Sequence, residues 1–274
     1  MRHSISFIML FVFLGAALPG GAFASPADDP FAFKASAYLV KADGKVVWSR
    51  NPDKRLSPAS LTKIMTARLA LKKGALEELV TVSRAASQET GSRLGLKAGE
   101  KMYLGFLISA ALLKSANDAC HAVADHVGGS EAAFVVMMNR EAAALGLKDT
   151  RFRNACGHDE DGHYSTARDL SVLAEATLKD RAFTDIVSLV ALDITTAGGK
   201  RRFRVENTNE LMGRYSGAIG VKSGFTSKAG KCVIALVERD GKRLLLVMLN
   251  APNRWWDAVE ALDAGFAAVK KASK

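Results

Sequence analysis

Residues 56–67 read Leu56-Ser57-Pro58-Ala59-Ser60-Leu61-Thr62-Lys63-Ile64-Met65-Thr66-Ala67. The apolar residues at 61, 64, 65, 69 and 71 recur at helical spacing, so a helix is predicted from about Ser60 to Lys73, with Gly74 as its stop. On a helix, positions i and i+3 share a face, which makes Ser60 and Lys63 neighbours one turn apart. A serine hydroxyl is a weak nucleophile until a base takes its proton. An uncharged lysine amine meets that need. Moving a lysine from its usual pKa near 10.4 to near 7 takes about 4–5 kcal/mol of environment. Burial and a second cation supply it, and Lys222 is the candidate cation. The N–H groups of the helix start point toward Ser60, where an oxyanion can be held.

Two further motifs follow in order. Ser115-Ala116-Asn117 falls between two helical patterns, and Lys222-Ser223-Gly224 follows the strand-like Ala218-Ile219-Gly220-Val221. The Ser115 hydroxyl can relay a proton, and the Asn117 amide can hold a substrate peptide bond. Lys222 with Ser223 suits a carboxylate, and Gly224 lets an extended ligand approach the backbone. Singly, these motifs read as helix surface, cap and turn. Together, in this order, they specify a serine acyl-enzyme site that uses lysine as base.

Working outward, Ala37–Val40 and Val46–Trp48 flank Asp43-Gly44, and residues 231–238 and 242–250 flank Asp240-Gly241. Both pairs read as tight β-hairpins. Between them the pattern is mostly helical: 104–113, 116–127, a helix from Ser130 to about Gly146, and one from the capping box Thr166–Asp169 to about Leu178. A last helix spans about Arg254 to Lys270, with apolar positions 255, 256, 259, 262, 266 and 269. The predicted class is α/β (α+β). One antiparallel sheet joins strands from both ends of the chain, flanked by helices, with an all-helical lobe inserted. The sheet lobe covers about 31–75 and 190–272, the helical lobe about 76–189, and the site sits in the cleft between them.

The first 24 residues read as a cleaved export signal. Arg2 precedes an apolar run, and Ala22-Phe23-Ala24 offers the small cleavage-site residues. No later run is long and apolar enough to span a bilayer, and no membrane anchor is expected in the mature chain. The formal charge of +10 is spread rather than clustered. It reads as solvated surface, with attraction to an acidic polymer or the acidic face of a cell envelope as the functional alternative, and export argues against nucleic-acid binding. Three cysteines, Cys120, Cys156 and Cys232, allow at most one internal disulfide, and none carries an activating pattern. His121 and His126 are wrongly spaced for one helical metal face. They and His158 and His163 read as packing or surface residues. No metal and no cofactor is expected.

On residues 56–67, on Gly220-Val221-Lys222-Ser223-Gly224-Phe225-Thr226-Ser227-Lys228-Ala229-Gly230, and on Asn154, Gly157 and Gly162-His163-Tyr164-Ser165-Thr166-Ala167, the chain resembles the serine-type D-alanyl-D-alanine carboxypeptidases, the low-molecular-weight penicillin-binding proteins. The resemblance runs from about Phe31 to Ala268 and implies a β-lactamase/transpeptidase-like fold. It implies Ser60 as acylated nucleophile, Lys63 as base and Ser115 as proton relay. Asn117, Lys222, Ser223, Gly224 and Phe225 would contact substrate. The N–H groups of Ser60 and Phe225 would form the oxyanion hole, and Arg254 would assist with the carboxylate. The implied partners are peptidoglycan stem peptides ending in D-Ala-D-Ala and β-lactam antibiotics, met in the periplasm or cell envelope. Ser223 stands where threonine is commoner, which keeps the hydroxyl. The alternatives are D,D-endopeptidase action on cross-links, a class A-like β-lactamase with Glu160 or Asp161 near its water, and a binding module or β-lactam sensor without catalysis.

Overall fold

A computed structural model describes residues 31, 34–73 and 76–272. The export signal and the Gly74 stop lie outside the described residues. Strands β1 (Ala37–Ala42), β2 (Lys45–Arg50), β7 (Ala218–Thr226), β8 (Gly230–Arg239) and β9 (Lys242–Leu249) form one antiparallel sheet in the order β2-β1-β9-β8-β7. The first strand pairs directly with the last, Ala37 opposite Leu249 and Ala42 opposite Leu244. Both predicted hairpin turns form. Asp43 and Gly44 have φ of 46° and 81°, and Asp240 and Gly241 have 50° and 69°. Two successive positive φ values make the turn whose twist matches paired strands.

Side chains alternate across a strand, so each strand feeds two cores. Tyr38, Val40, Val233, Ala235, Val237, Leu244, Leu246 and Met248 face helix α8 (Arg254–Ala272) and bury against its Ala258, Ala261 and Leu262. Ala37, Leu39, Ile234, Leu236, Leu245 and Val247 face the other way, toward α1 (Lys63–Lys73) and the helices beyond. Both faces of the sheet are therefore covered. One residue departs from the expected stripe of α8: Trp256 is 81 % exposed. It is one residue from half-buried Trp255, and adjacent helical positions point about 100° apart, so only one of them can face the sheet.

The intervening helices are α2 (Arg84–Ser87), α3 (Leu104–Leu113), α4 (Asn117–Gly128), α5 (Glu131–Ala144), α6 (Ala167–Thr177) and α7 (Arg181–Val187). α3 carries the strongly apolar run and is almost wholly buried. Ser130 caps α5 by accepting from Ala133 N–H, and Thr166 caps α6 by accepting from Asp169 N–H. Besides these helices the segment holds a short ribbon of β3 (Leu79–Thr81) and β4 (Lys101–Tyr103). A second ribbon, β5 (Ala191–Thr195) with β6 (Arg202–Glu206), lies after it. The opening of the predicted Ser60 helix is not α-helical. Ala59–Thr62 is a 3₁₀ turn, and the α-helix begins at Lys63. All three cysteines are buried and unpaired.

Candidate active site

Strand β7 lies at the edge of the sheet, and one face of it packs on the 3₁₀ turn of Ser60. The approach is close enough to require glycine. A Cβ on Gly224 would lie 3.0 Å from the Ser60 backbone nitrogen and 3.0 Å from the Ala59 Cβ. From behind, Gly157 (φ +86°) packs on the same turn, where a Cβ would overlap the Ala59 carbonyl oxygen at 1.9 Å. Ala59 itself has φ of +48°, a left-handed conformation that a non-glycine residue holds only when its surroundings impose it. Two glycines thus clamp the strained turn that presents Ser60.

Lys63 is fully buried beneath this turn. Its Nζ lies 3.1 Å from Ser60 Oγ, 2.7 Å from Asn117 Oδ1 and 2.6 Å from the Cys156 carbonyl oxygen. An amine has two N–H bonds and one lone pair. When Asn117 and Cys156 take the two N–H bonds, the lone pair is left facing the Ser60 hydroxyl. Asn117 is oriented in turn: its Nδ2 donates to the Thr90 carbonyl (2.6 Å) and its backbone N–H to Ser92 (2.7 Å). These contacts also fix which end of the amide is oxygen. Asp118, buried beside it, accepts from the N–H groups of Leu94, Gly95, Leu96 and Ala119 and ties the 90–96 loop to the start of α4.

A cleft of about 420 Å³ opens over the turn. Ser60, Ser115, Asn117, Ser223, Gly224 and Phe225 all line it, with Thr90, Thr208, His158 and Arg254. Ser115 has φ of +63°, and its hydroxyl makes no side-chain hydrogen bond among the described residues. Ser223 Oγ lies 3.0 Å from Thr208 Oγ1. Of the expected catalytic and substrate-binding residues, two are absent from the cleft wall. Lys63 lies behind Ser60, as a base should. Lys222 is 1 % exposed and donates to the Ser223 carbonyl (2.8 Å) rather than facing the opening. Burial, then the charges of Lys63 and Arg254, push the Lys222 ammonium well below the usual lysine range, so the structure disfavours charge on the very lysine expected from the sequence to be the cation beside Lys63.

Arg254, aligned only loosely by resemblance, does line the cleft. Its Nη1 donates to the Gly224 carbonyl (2.6 Å), and its buried Nε has no hydrogen-bond partner among the described residues. Among the positions that gain a place at the site without a chemical pattern in the sequence are Cys156 and Thr90 through their carbonyls, Thr208 through its hydroxyl, and Gly157 through its lack of a side chain. Backbone acceptors leave no signal in residue identity. Gly157 alone was visible, inside the resembling segment.

Glu160 and Asp161 are not on the cleft wall. Glu160 accepts from Asn154 Nδ2 (3.1 Å), and Asp161 pairs with exposed Lys228 (2.9 Å). Among the described residues the lining holds no carboxylate. The histidines divide. His163 is buried, accepts from the Arg153 N–H through Nδ1 and therefore donates through Nε2 to Thr62 Oγ1 (3.0 Å). Burial pushes its pKa down to about 4. His121 and His158, read from sequence as packing or surface, instead converge on one carboxylate. Glu89 lies 2.6 Å from His121 Nδ1 and 2.9 Å from His158 Nε2.

Residues 24–253 match the family model for D-alanyl-D-alanine carboxypeptidases. The chain belongs to the D-alanyl-D-alanine carboxypeptidase family. It is 38 % identical to the D-alanyl-D-alanine carboxypeptidase DacF of Bacillus subtilis, over 79 % of this chain and 57 % of that one. It is 34 % identical to a D-alanyl-D-alanine carboxypeptidase of Streptomyces sp. (strain K15), over 82 % of this chain and 84 % of that one. A solved structure of a serine-to-alanine variant of the Streptomyces DD-transpeptidase superposes with a TM-score of 0.82 at 32 % identity, covering 85 % of this chain and 98 % of the other. The chain spans little more than half the length of the Bacillus relative and most of the Streptomyces one.

Proposed function

We propose that this chain is a serine D-alanyl-D-alanine carboxypeptidase. It removes the terminal D-alanine from peptidoglycan stem peptides through an acyl-enzyme on Ser60, and penicillins acylate the same oxygen. The observation that carries the reading is the Lys63 amine, 3.1 Å from Ser60 Oγ, with its other two directions taken by Asn117 and Cys156. The Ser60 proton passes to Lys63 as Oγ bonds to the substrate carbonyl carbon. The developing oxyanion is held by the N–H groups of Ser60 and Phe225. Ser115 passes a proton to the departing amine of D-alanine, and water then cleaves the ester.

The substrate adds to the free edge of β7 as an extended strand. Its carboxylate lies against Ser223 Oγ with Arg254 close by, and buried Lys222 acts through its field rather than by contact. Penicillin adducts are expected to be cleared far more slowly than by a class A β-lactamase, because the cleft wall among the described residues offers no carboxylate to activate a hydrolytic water. We place the enzyme in the cell envelope, after export on residues 1–24. No helix among the described residues is long and apolar enough to cross a membrane.

The test is release of D-alanine from a peptide ending in D-Ala-D-Ala. Ser60→Ala is expected to lower the rate by on the order of 10⁶-fold while leaving the melting temperature unchanged. Release near the wild-type rate would refute the assignment.

A further inference from the structure

We propose that Glu89, Cys156 and His158 form a binding site for one divalent cation of zinc type, on the back of the cleft. The inference does not depend on the peptidase reading. A carboxylate oxygen of Glu89, Cys156 Sγ and a His158 ring nitrogen all lie within 4.8 Å of one another. Ligands held at 2.0–2.3 Å around a tetrahedral ion sit roughly 3.3–3.8 Å apart, so contraction of about 1 Å closes the set. Thiolate, imidazole and carboxylate together favour zinc over magnesium or calcium, which take oxygen.

Three further features fit a cation rather than a plain hydrogen-bond cluster. Glu89 is only 12 % exposed, and each of its two oxygens faces an imidazole nitrogen. His121 stays on the second oxygen of Glu89, 2.6 Å away, where it orients the carboxylate as outer partners of metal ligands do. His158 lines the cleft, so an ion has an entry path and a position left for water. Binding forms an Sγ–metal bond and releases the Cys156 thiol proton to solvent, and the metal also replaces the His158–Glu89 hydrogen bond. Because the Cys156 carbonyl accepts from Lys63, a bound ion would also stiffen the segment that orients the lysine.

Cobalt reports on such a site directly. With thiols reduced, Co²⁺ titrated into the full chain is expected to bind at one equivalent with a thiolate-to-metal charge-transfer band, and Zn²⁺ should displace it. Cys156→Ser should abolish the band, and His158→Ala should weaken Co²⁺ binding at least tenfold. No binding by the wild type would overturn the proposal. So would a band that survives Cys156→Ser, or an affinity unchanged in His158→Ala. If Cys156→Ser fails to fold by circular dichroism, the cleft-facing His158→Ala decides alone.

Discussion

Lysine at i+3 from serine is common in helices, and what distinguishes Lys63 is the company its nitrogen keeps. The pair Ser60–Lys63 was legible because the spacing alone places the side chains together. The same holds for Ser115 and Asn117, which follow the apolar helix directly. The cradle of Lys63 was not legible, since one half of it is a backbone carbonyl. Nor was the position of Lys222, since sequence tells that a lysine sits on a strand but not which way a buried chain bends. Its burial has a measurable consequence. An ammonium held well below its usual pKa gains a proton when a carboxylate arrives nearby, because an opposite charge favours the charged form. Binding of a penicillin carboxylate to Ser60→Ala is therefore expected to take up a proton. Calorimetric heats should then vary with the ionisation enthalpy of the buffer. Heats independent of buffer would contradict this account of Lys222.

At the scale of elements, the site is a three-way contact between the Ser60 turn, the edge strand β7 and the 154–158 segment. Gly157 is the tightest point. Its left-handed φ costs a residue with a Cβ about 1–3 kcal/mol, and overlap with the Ala59 carbonyl adds to that. Gly157→Ala is expected to destabilise the fold by on the order of 3 kcal/mol and to slow acylation at Ser60 more than tenfold. Unchanged melting and acylation together would show that the turn does not need this clamp. The hairpins were readable because Asp-Gly prescribes its own backbone. The two small ribbons were not, because strands of three to five residues such as Leu79–Thr81 have no periodicity to detect and exist through their partners. The 3₁₀ start of the Ser60 helix was hidden too. It is imposed by Gly157 and Gly224 from outside the segment.

Across the whole molecule, the first and last strands pair, and helices cover both faces of the sheet. The overall class was legible from the order of patterns, strand pair, helices, strand pair, helix. Stability should carry a pH signature from His163. Its folded pKa of about 4 lies below the unfolded value of 6.5, so the unfolded chain binds the extra proton between them. Its contribution is fully present above pH 6.5 and is lost as pH falls toward 4, by up to about 3 kcal/mol. Denaturant midpoints should drop across that window, and His163→Gln should flatten the drop. An equally steep fall in the variant would assign it to other groups.

The central claim is that Ser60 is acylated because Lys63 removes its proton. Peptide mapping by mass spectrometry after brief exposure to penicillin tests it most directly, on the native chain and on Lys63→Ala. The account requires a single adduct on Ser60, accumulating at least a thousandfold more slowly in Lys63→Ala. An adduct on another residue, or equal acylation of Ser60 without the lysine, would contradict it.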